Sequence, residues 1–475
     1  MRLRCLAWVL LGLAGVPGQP QAQVAPTQAV PSAASLVGLW RGPLPVPGGE
    51  LALSFSLIAL TSGEYFAALD VPMQRLSRVP VTVQQPAGTD SVRLLIPQLD
   101  SRFLARRSAD GQLLSGVWYR PGLRTPVVLR HAPLPATAGL PVRFAPPYRE
   151  EEVTFSNAAA KVRLAGTLTV PPGAGPFPAV VLVSDLGEQD RDGLAPAASI
   201  GLLSYRLLGS LADYLTRHGV AVLRLDDRGV GGSSGNTENT TPTQRTTDVQ
   251  AALNYLRTRP EVDLLRLGLI GHGEGANVAL LAAAQPLPPA FVVGLGAYGL
   301  PGYETLLHQQ ELGWQAQQLA PAQLDLRQRR QRALYDLIRY STNQAQTQAI
   351  ITNLLRQGEP ALPAADAQQQ AASLLKPWHR AFLAFDPLDN LAAVQCPVLL
   401  LTGLADEQAP PAQHLPPLER GLRAGGNRAV TVLRPAGVNH LLQPPRLQWA
   451  MLNGEPKPLV SPVVEEAIRQ WLVGK

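Results

Sequence analysis

At 475 residues with 46% hydrophobic content, the chain exceeds one minimal domain and has apolar material for a full core plus an accessory one. Its formal charge of +6 is a mild excess of scattered lysines and arginines. The short cluster Arg327-Gln328-Arg329-Arg330-Gln331-Arg332 has no interleaved aromatics and reads as a solvated helix face, which argues against a nucleic-acid partner. After the N-terminal segment, no stretch of about eighteen uninterrupted apolar residues occurs, so no stable membrane insertion is expected.

Met1 to Ala22 has Arg2 and Arg4, an apolar run from Cys5 to Val16, then Pro17, Gly18 and small or polar residues, the layout of a signal peptide. The run is too short for an anchor, and Cys5 lies inside it rather than after a lipobox, so export to the periplasm or the exterior is expected. Cleavage removes two arginines and no acid, lowering the charge from +6 to +4. It also leaves Cys396 alone, with no intramolecular disulfide; heading the apolar run Pro397-Val398-Leu399-Leu400-Leu401, it reads as a buried, unreactive thiol.

Residues 23–34, rich in Gln, Ala and Pro, read as a disordered leader. Residues 35–133 alternate in short segments such as Leu51-Ala52-Leu53-Ser54-Phe55-Ser56-Leu57 and Val92-Arg93-Leu94-Leu95-Ile96, split by Gly, Pro and Asp, which predicts a small antiparallel β domain. After the proline-rich joint at 141–147 the texture changes, and 142–475 reads as one α/β domain. Buried strands are predicted at 179–183, 220–225, 267–270, 291–294 and 397–401, with helices at 203–218, 246–259 and 277–285 between them. That alternation argues for a doubly wound, mostly parallel sheet. Residues 298–390, rich in Gln, Ala and Leu, interrupt it as a helical insertion. Placed above the carboxyl ends of the strands, such an insertion is a cap candidate.

Leu267-Gly268-Leu269-Ile270, then Gly271-His272-Gly273-Glu274-Gly275, then Asn277-Val278-Ala279-Leu280-Leu281 has the form of a strand, a glycine-framed turn and a helix: a nucleophile elbow. Its central position, normally serine, is Gly273. The pattern Gly271, Gly273, Ala276 also fits a dinucleotide loop, but it is not on the first strand of its domain, and no acid stands about twenty residues on. A plain glycine turn is the other bland reading. Against it stand Asp406, on a loop after Leu401, and His440, on a loop after Leu433, because nucleophile, acid and base in that order is the chain order of α/β-hydrolases.

From about Val142 to Trp471 the chain resembles the exported α/β-hydrolases related to esterase EstD and the dienelactone hydrolases. The motifs are Gln189-Asp190-Arg191-Asp192, Asp226-Asp227-Arg228-Gly229-Val230-Gly231-Gly232-Ser233, the elbow, Lys376-Pro377-Trp378 with Phe385-Asp386-Pro387, the Asp406 loop and Asn439-His440. The β domain, with Gly38-Leu39-Trp40 and Asp70-Val71-Pro72-Met73-Gln74, is similar to one that some relatives carry. The resemblance implies carboxylic-ester hydrolysis, with Asp406 orienting His440 as general base. The oxyanion would be met by the backbone N–H of Glu274 and by one from the loop after Val183, at Leu186 or Gly187.

Two departures bear on activity. Gly273 offers no hydroxyl, and the oxyanion loop Ser184-Asp185-Leu186-Gly187-Glu188 replaces the glycine-serine-glycine-proline run of relatives with acids that can repel an oxyanion. Loss of a nucleophile costs roughly a million-fold in turnover in the protease case. Ser184, Ser233 and Ser234 are weak substitutes. The seven histidines show no ligand spacing with acids or cysteines, so neither metal nor cofactor is expected. The sequence therefore predicts a degenerate hydrolase that binds a small ester-like or peptide-like ligand. An active hydrolase using a substitute nucleophile or a His440-activated water stays open, as does a structural or interaction protein.

Overall fold

The computed structural model describes residues 36–59, 64–74, 76–86, 89–132, 146, 148–194, 205–317, 319–357, 361–452 and 455–474. The expected signal segment and leader, at 1–22 and 23–34, lie outside the described residues. The described chain forms two compact units: one of Arg149–Leu442 and the segment from Val460, the other of the residues up to Tyr148 with Gln443–Leu459.

The N-terminal unit is a closed barrel of β1 (Gly38–Val46), β2 (Gly49–Ala59), β3 (Tyr65–Val71), β4 (Leu76–Gln84), β5 (Ser91–Ile96), β6 (Ser101–Arg107), β7 (Leu113–Arg120) and β8 (Leu123–Ala132). Each strand pairs antiparallel with the next, and β1 closes on β8 through Leu39↔Ala132, Trp40↔His131 and Arg41↔Arg130. The alternation read from β2 sends Leu53, Phe55 and Leu57 inward, where they meet Trp40, Leu94, Phe103 and Leu129. Each such side chain contributes about 1.5–3 kcal/mol by leaving water. Closure leaves no sheet edge, a feature that alternation alone does not predict.

The second unit holds an eight-stranded sheet ordered β9 (Arg149–Asn157), β10 (Val162–Val170), β12 (Ala221–Leu225), β11 (Phe177–Val183), β13 (Val262–His272), β14 (Val292–Leu295), β15 (Val398–Leu401) and β16 (Val430–Leu433). From β12 to β16 the strands are parallel, while β9 and β10 are antiparallel additions. One apolar cluster packs helices α2 (Pro242–Arg257), α3 (Glu274–Ala283) and α9 (Pro411–Ala424) on the sheet. Another packs α1 (Leu207–Arg217) and α10 (Pro462–Val473). Helix α2 begins four residues before the predicted start because Thr241 and Gln244 form a reciprocal capping box ahead of Pro242.

Among the described residues, five α-helices lie between β14 and β15: α4 (Gly302–Gln315), α5 (Pro321–Tyr340), α6 (Gln344–Arg356), α7 (Ala364–Leu374) and α8 (Pro377–Ala384). They share a small core of their own, including Leu307, Tyr335, Ile338, Ile351 and Leu383. Residues 443–459, read from sequence as part of the α/β domain, group with the barrel unit and carry the hairpin β17 (Ala450–Leu452) and β18 (Glu455–Lys457). Cys396 is half-buried rather than buried; what burial it has pushes the thiol up to about 11, so it stays protonated. Among the described residues, no helix is long and apolar enough to cross a membrane.

Candidate active site

Strand β13 runs to His272, Gly273 turns the chain at φ 52 and ψ −119, and α3 starts at Glu274. The glycine frame is a steric requirement. A Cβ on Gly271 would stand 2.1 Å from the Gly275 carbonyl oxygen, and one on Gly275 would stand 2.4 Å from the carbonyl oxygens of Val183 and Ser184. Three backbone segments meet there with no room for side chains, so the turn has the build of an elbow.

The loops after β15 and β16 bring the acid and the base to it. Asp406 is buried, accepts the Ala409 N–H at 2.8 Å, and through Oδ2 accepts from His440 Nδ1 at 2.8 Å. His440 is buried under Tyr298, whose ring stacks on it with centroids 6.0 Å apart. Tyr298 is pinned in turn by Asn277, which bonds both its carbonyl oxygen and its N–H.

The position opposite His440 is filled by Asp185, on the loop after β11. Its Oδ2 lies 3.1 Å from His440 Nε2, and its Oδ1 accepts the Glu274 N–H at 2.7 Å. A Cβ built on Gly273 would stand 1.8 Å from that same Oδ1. The carboxylate therefore stands where the side chain of an elbow residue would start, bonded to the amide that the resemblance assigns to the oxyanion. The sequence flags Asp185 as a repulsive neighbour; folding makes it the occupant. Glu188, flagged with it, is exposed. Leu186 packs against Tyr298 and Phe382, and Gly187 is exposed at φ 90.

Burial pulls His440 down, but Asp406 and Asp185 together outweigh it and push the imidazole up to about 10. Burial likewise pushes the Asp185 carboxyl up, and His440, His272 and the Glu274 N–H override it, holding the group well below the usual carboxylate range. His440 is thus an imidazolium between two carboxylates, with no free lone pair for accepting a proton from a nucleophile.

A second layer of charge surrounds Glu274, which is fully buried. Arg245 donates to it at 2.8 Å, to the Ser184 carbonyl oxygen at 2.9 Å and to Ser184 Oγ at 2.7 Å, and pairs with Asp227. Burial raises the pKa values of Glu274 and Asp227, and Arg245 offsets part of each rise. The three candidate hydroxyls are committed elsewhere. Ser184 Oγ donates to Asp227 at 2.8 Å, Ser233 Oγ donates to the Asp226 carbonyl oxygen at 2.8 Å, and Ser234 Oγ donates to the Arg163 carbonyl oxygen at 3.2 Å. The motifs at 189–192 and 226–233 form one clamp, in which Asp226 takes Arg191 and the Gly232 N–H.

Tyr298, Arg245 and His272 are site residues that the sequence reading missed. His272 Nε2 lies 2.8 Å from the His440 carbonyl oxygen, to which it donates, and its Nδ1 lies 4.0 Å from Asp185 Oδ2. Its place beside the elbow center was the one signal available.

The strand order, the elbow and the paired Asp406 and His440 define an α/β-hydrolase. The sequence profile of the X-Pro dipeptidyl-peptidase (S15) family matches residues 110–415, and the chain belongs to that family. Esterase EstD of Thermotoga maritima is 31% identical over 129 residues, which span 27% of this chain and 28% of that esterase. Solved structures of similar fold include a thermophilic esterase from Thermogutta terrifontis, with TM-score 0.39, 17% identity and coverage of 68% of this chain and 98% of that one. An esterase from Pyrococcus furiosus has TM-score 0.40 and 15% identity, covering 65% and 88%.

Proposed function

We propose that this chain is a hydrolase-fold protein that has given up serine acyl transfer and keeps the pocket around Asp406 and His440 for an ester-like or peptide-like ligand, with little or no turnover. The observation that carries this reading is the Asp185 carboxylate. It takes the space beside Gly273, the Glu274 N–H and the Nε2 of His440, three things that a serine mechanism needs free. Among the described residues, Ser184, Ser233 and Ser234 are tied into other bonds, which disfavours a substitute nucleophile.

In this reading the sheet is doubly wound and the helices of residues 302–384 are a cap over the ligand. Three contacts support the cap: Trp378 Nε1 donates to Glu274 at 3.3 Å, Gln309 Nε2 to the Tyr298 hydroxyl at 3.3 Å, and His308 Nε2 to the Glu407 carbonyl oxygen at 2.8 Å. The peptide-like option rests on the family and the ester-like option on the EstD match. Export with cleavage rests on the segment 1–22; fractionation that finds the chain only in the cytoplasm with Met1 intact would overturn it.

The test is fluorophosphonate labelling and nitrophenyl-ester hydrolysis by the mature chain, by Gly273→Ser and by Gly273→Ser combined with Asp185→Ala. The first two are expected to stay silent, and the double variant, with the carboxylate removed, to label at position 273. Brisk hydrolysis with labelling of the unmodified chain would overturn the reading.

A further inference from the structure

We propose that Asp185, His272 and His440 form a binding site for a divalent transition-metal ion of the zinc class. Asp185 Oδ2, His272 Nδ1 and His440 Nε2 are the protein ligands, and a further position is open to water. This goes beyond the reading above, which concerns lost serine chemistry and stands whether or not a metal binds.

The first support is convergence. One ligand atom from each residue lies within 4.8 Å of the others, the two histidines are buried and Asp185 is nearly so. Zinc bonds of about 2.0–2.1 Å to nitrogen and oxygen place neighbouring tetrahedral ligands about 3.4 Å apart. Asp185 Oδ2 is 3.1 Å from His440 Nε2 and 4.0 Å from His272 Nδ1, so side-chain rotations that move these atoms by about 1 Å or less close the set. Gly273 contributes no side chain to the space between them.

The second support is the surroundings of each histidine. A carbonyl oxygen only accepts, so the bond from His272 Nε2 to the His440 carbonyl fixes the hydrogen on Nε2 and leaves Nδ1 as a bare lone pair. The bond from His440 Nδ1 to Asp406 fixes that hydrogen on Nδ1 and directs Nε2 at the shared point. Metal-bound histidines are held this way, with the distal N–H given to a carboxylate or a backbone carbonyl. Both histidines meet that condition: His272 Nδ1 is bare, and His440 Nε2, whose proton a metal would displace, is directed at Asp185. In this arrangement Asp406 is a positioning residue.

The third support is charge. Glu274 and Asp227 pair with Arg245, and Asp185 and Asp406 flank His440, so four carboxylic side chains meet one guanidinium and one imidazole. A dication at the shared point would offset that excess of acid, taking the place of the proton that His440 Nε2 holds against Asp185; the proton leaves to solvent. Two imidazoles and one carboxylate suit zinc and its neighbours in the first transition row rather than calcium or magnesium, which take oxygen ligands.

The mature chain, stripped with chelator, should bind one Zn2+ per chain in a titration against a chromophoric competitor. X-ray absorption of the loaded protein should show two imidazole scatterers and no sulfur, which separates this site from one at Cys396. His272→Ala and Asp185→Ala should each weaken binding more than 100-fold. Asp406→Asn, which leaves the ligands in place, should weaken it roughly 10–100-fold, and His131→Ala in the barrel should leave it unchanged. Absence of stoichiometric binding, a shell lacking two imidazoles, or unchanged affinity in His272→Ala overturns the site. Should the buried variants fail to fold, the absorption spectrum of the unmodified chain decides alone. None of these readouts depends on labelling at position 273, so failure here is distinguishable from failure of the ligand-binding reading.

Discussion

The barrel and the α/β unit are both well packed, yet they bury different things. Among the described residues, the barrel unit buries two polar residues, Ser101 and Gln443, around an apolar interior of Trp40, Phe55 and Phe103. The α/β unit buries Asp185, Asp226, Arg228, Arg245, Asp248, His272, Glu274, Asp406 and His440, nearly all of them at the carboxyl ends of strands or on the helices that meet them. A buried charge is tolerated only when paired, and breaking a pair is costlier than never having made it. The difference marks the barrel as a unit held by apolar burial and the second unit as one where stability is spent on an arrangement of charge.

The largest expected effect therefore comes from removing one member of that arrangement. Arg245→Ala leaves Glu274 and Asp227 buried without their cation and should cost about 3–5 kcal/mol in denaturant unfolding, with Arg245→Lys recovering only part. Trp40→Ala tests the other side of the comparison: a cavity in the barrel and a lost bond to the Leu36 carbonyl oxygen should cost about 3–5 kcal/mol, with no charge to rescue. If the Arg245 variant proves no worse than a surface change, the contrast fails.

Gly273→Ser comes next. Its Cβ clashes with the Asp185 carboxylate and strains that group's bonds to His440 and the Glu274 N–H without clearing it from the site, so a loss of about 2–4 kcal/mol is expected. Adding Asp185→Ala should make the pair non-additive, because the clash is then gone. Additive losses in that double-mutant cycle would show that the two positions do not compete for one space.

Acid should act through His379 and His414, which burial holds down to about 4. Between that value and the unfolded value of about 6.5 the unfolded chain binds more protons than the folded one. The contribution of these two histidines is thus intact above about 6.5 and falls as pH drops toward 4, by up to about 1.4 kcal/mol per histidine per pH unit. Urea midpoints across that window, compared with His379→Phe, measure the share of one histidine. The smallest effect is expected from Ser233→Ala, about 1 kcal/mol for its bonds to the Asp226 carbonyl oxygen and the Ala165 N–H, with no change in ligand binding.

Local pattern carried a good part of this molecule. The barrel strands, the parallel strands from β11 to β15 and the helical run after β14 were legible because burial imposes a period of two on strands and a longer one on helices. The antiparallel pair β9 and β10 was not read, because glutamates and threonines there interrupt the apolar run.

By itself the sequence determined that an elbow with glycine at position 273 stands before Asp406 and His440 in hydrolase order, since each sits at the end of an apolar run and needs no distant partner to be recognised. Only the tertiary structure decided what faces His440. Asp185 is 255 residues away along the chain, and His272 touches the His440 carbonyl oxygen across 168. Parallel strands bring such positions together through crossovers that no local pattern encodes, so a carboxylate and two histidines with no common spacing in the sequence meet at one point in the fold.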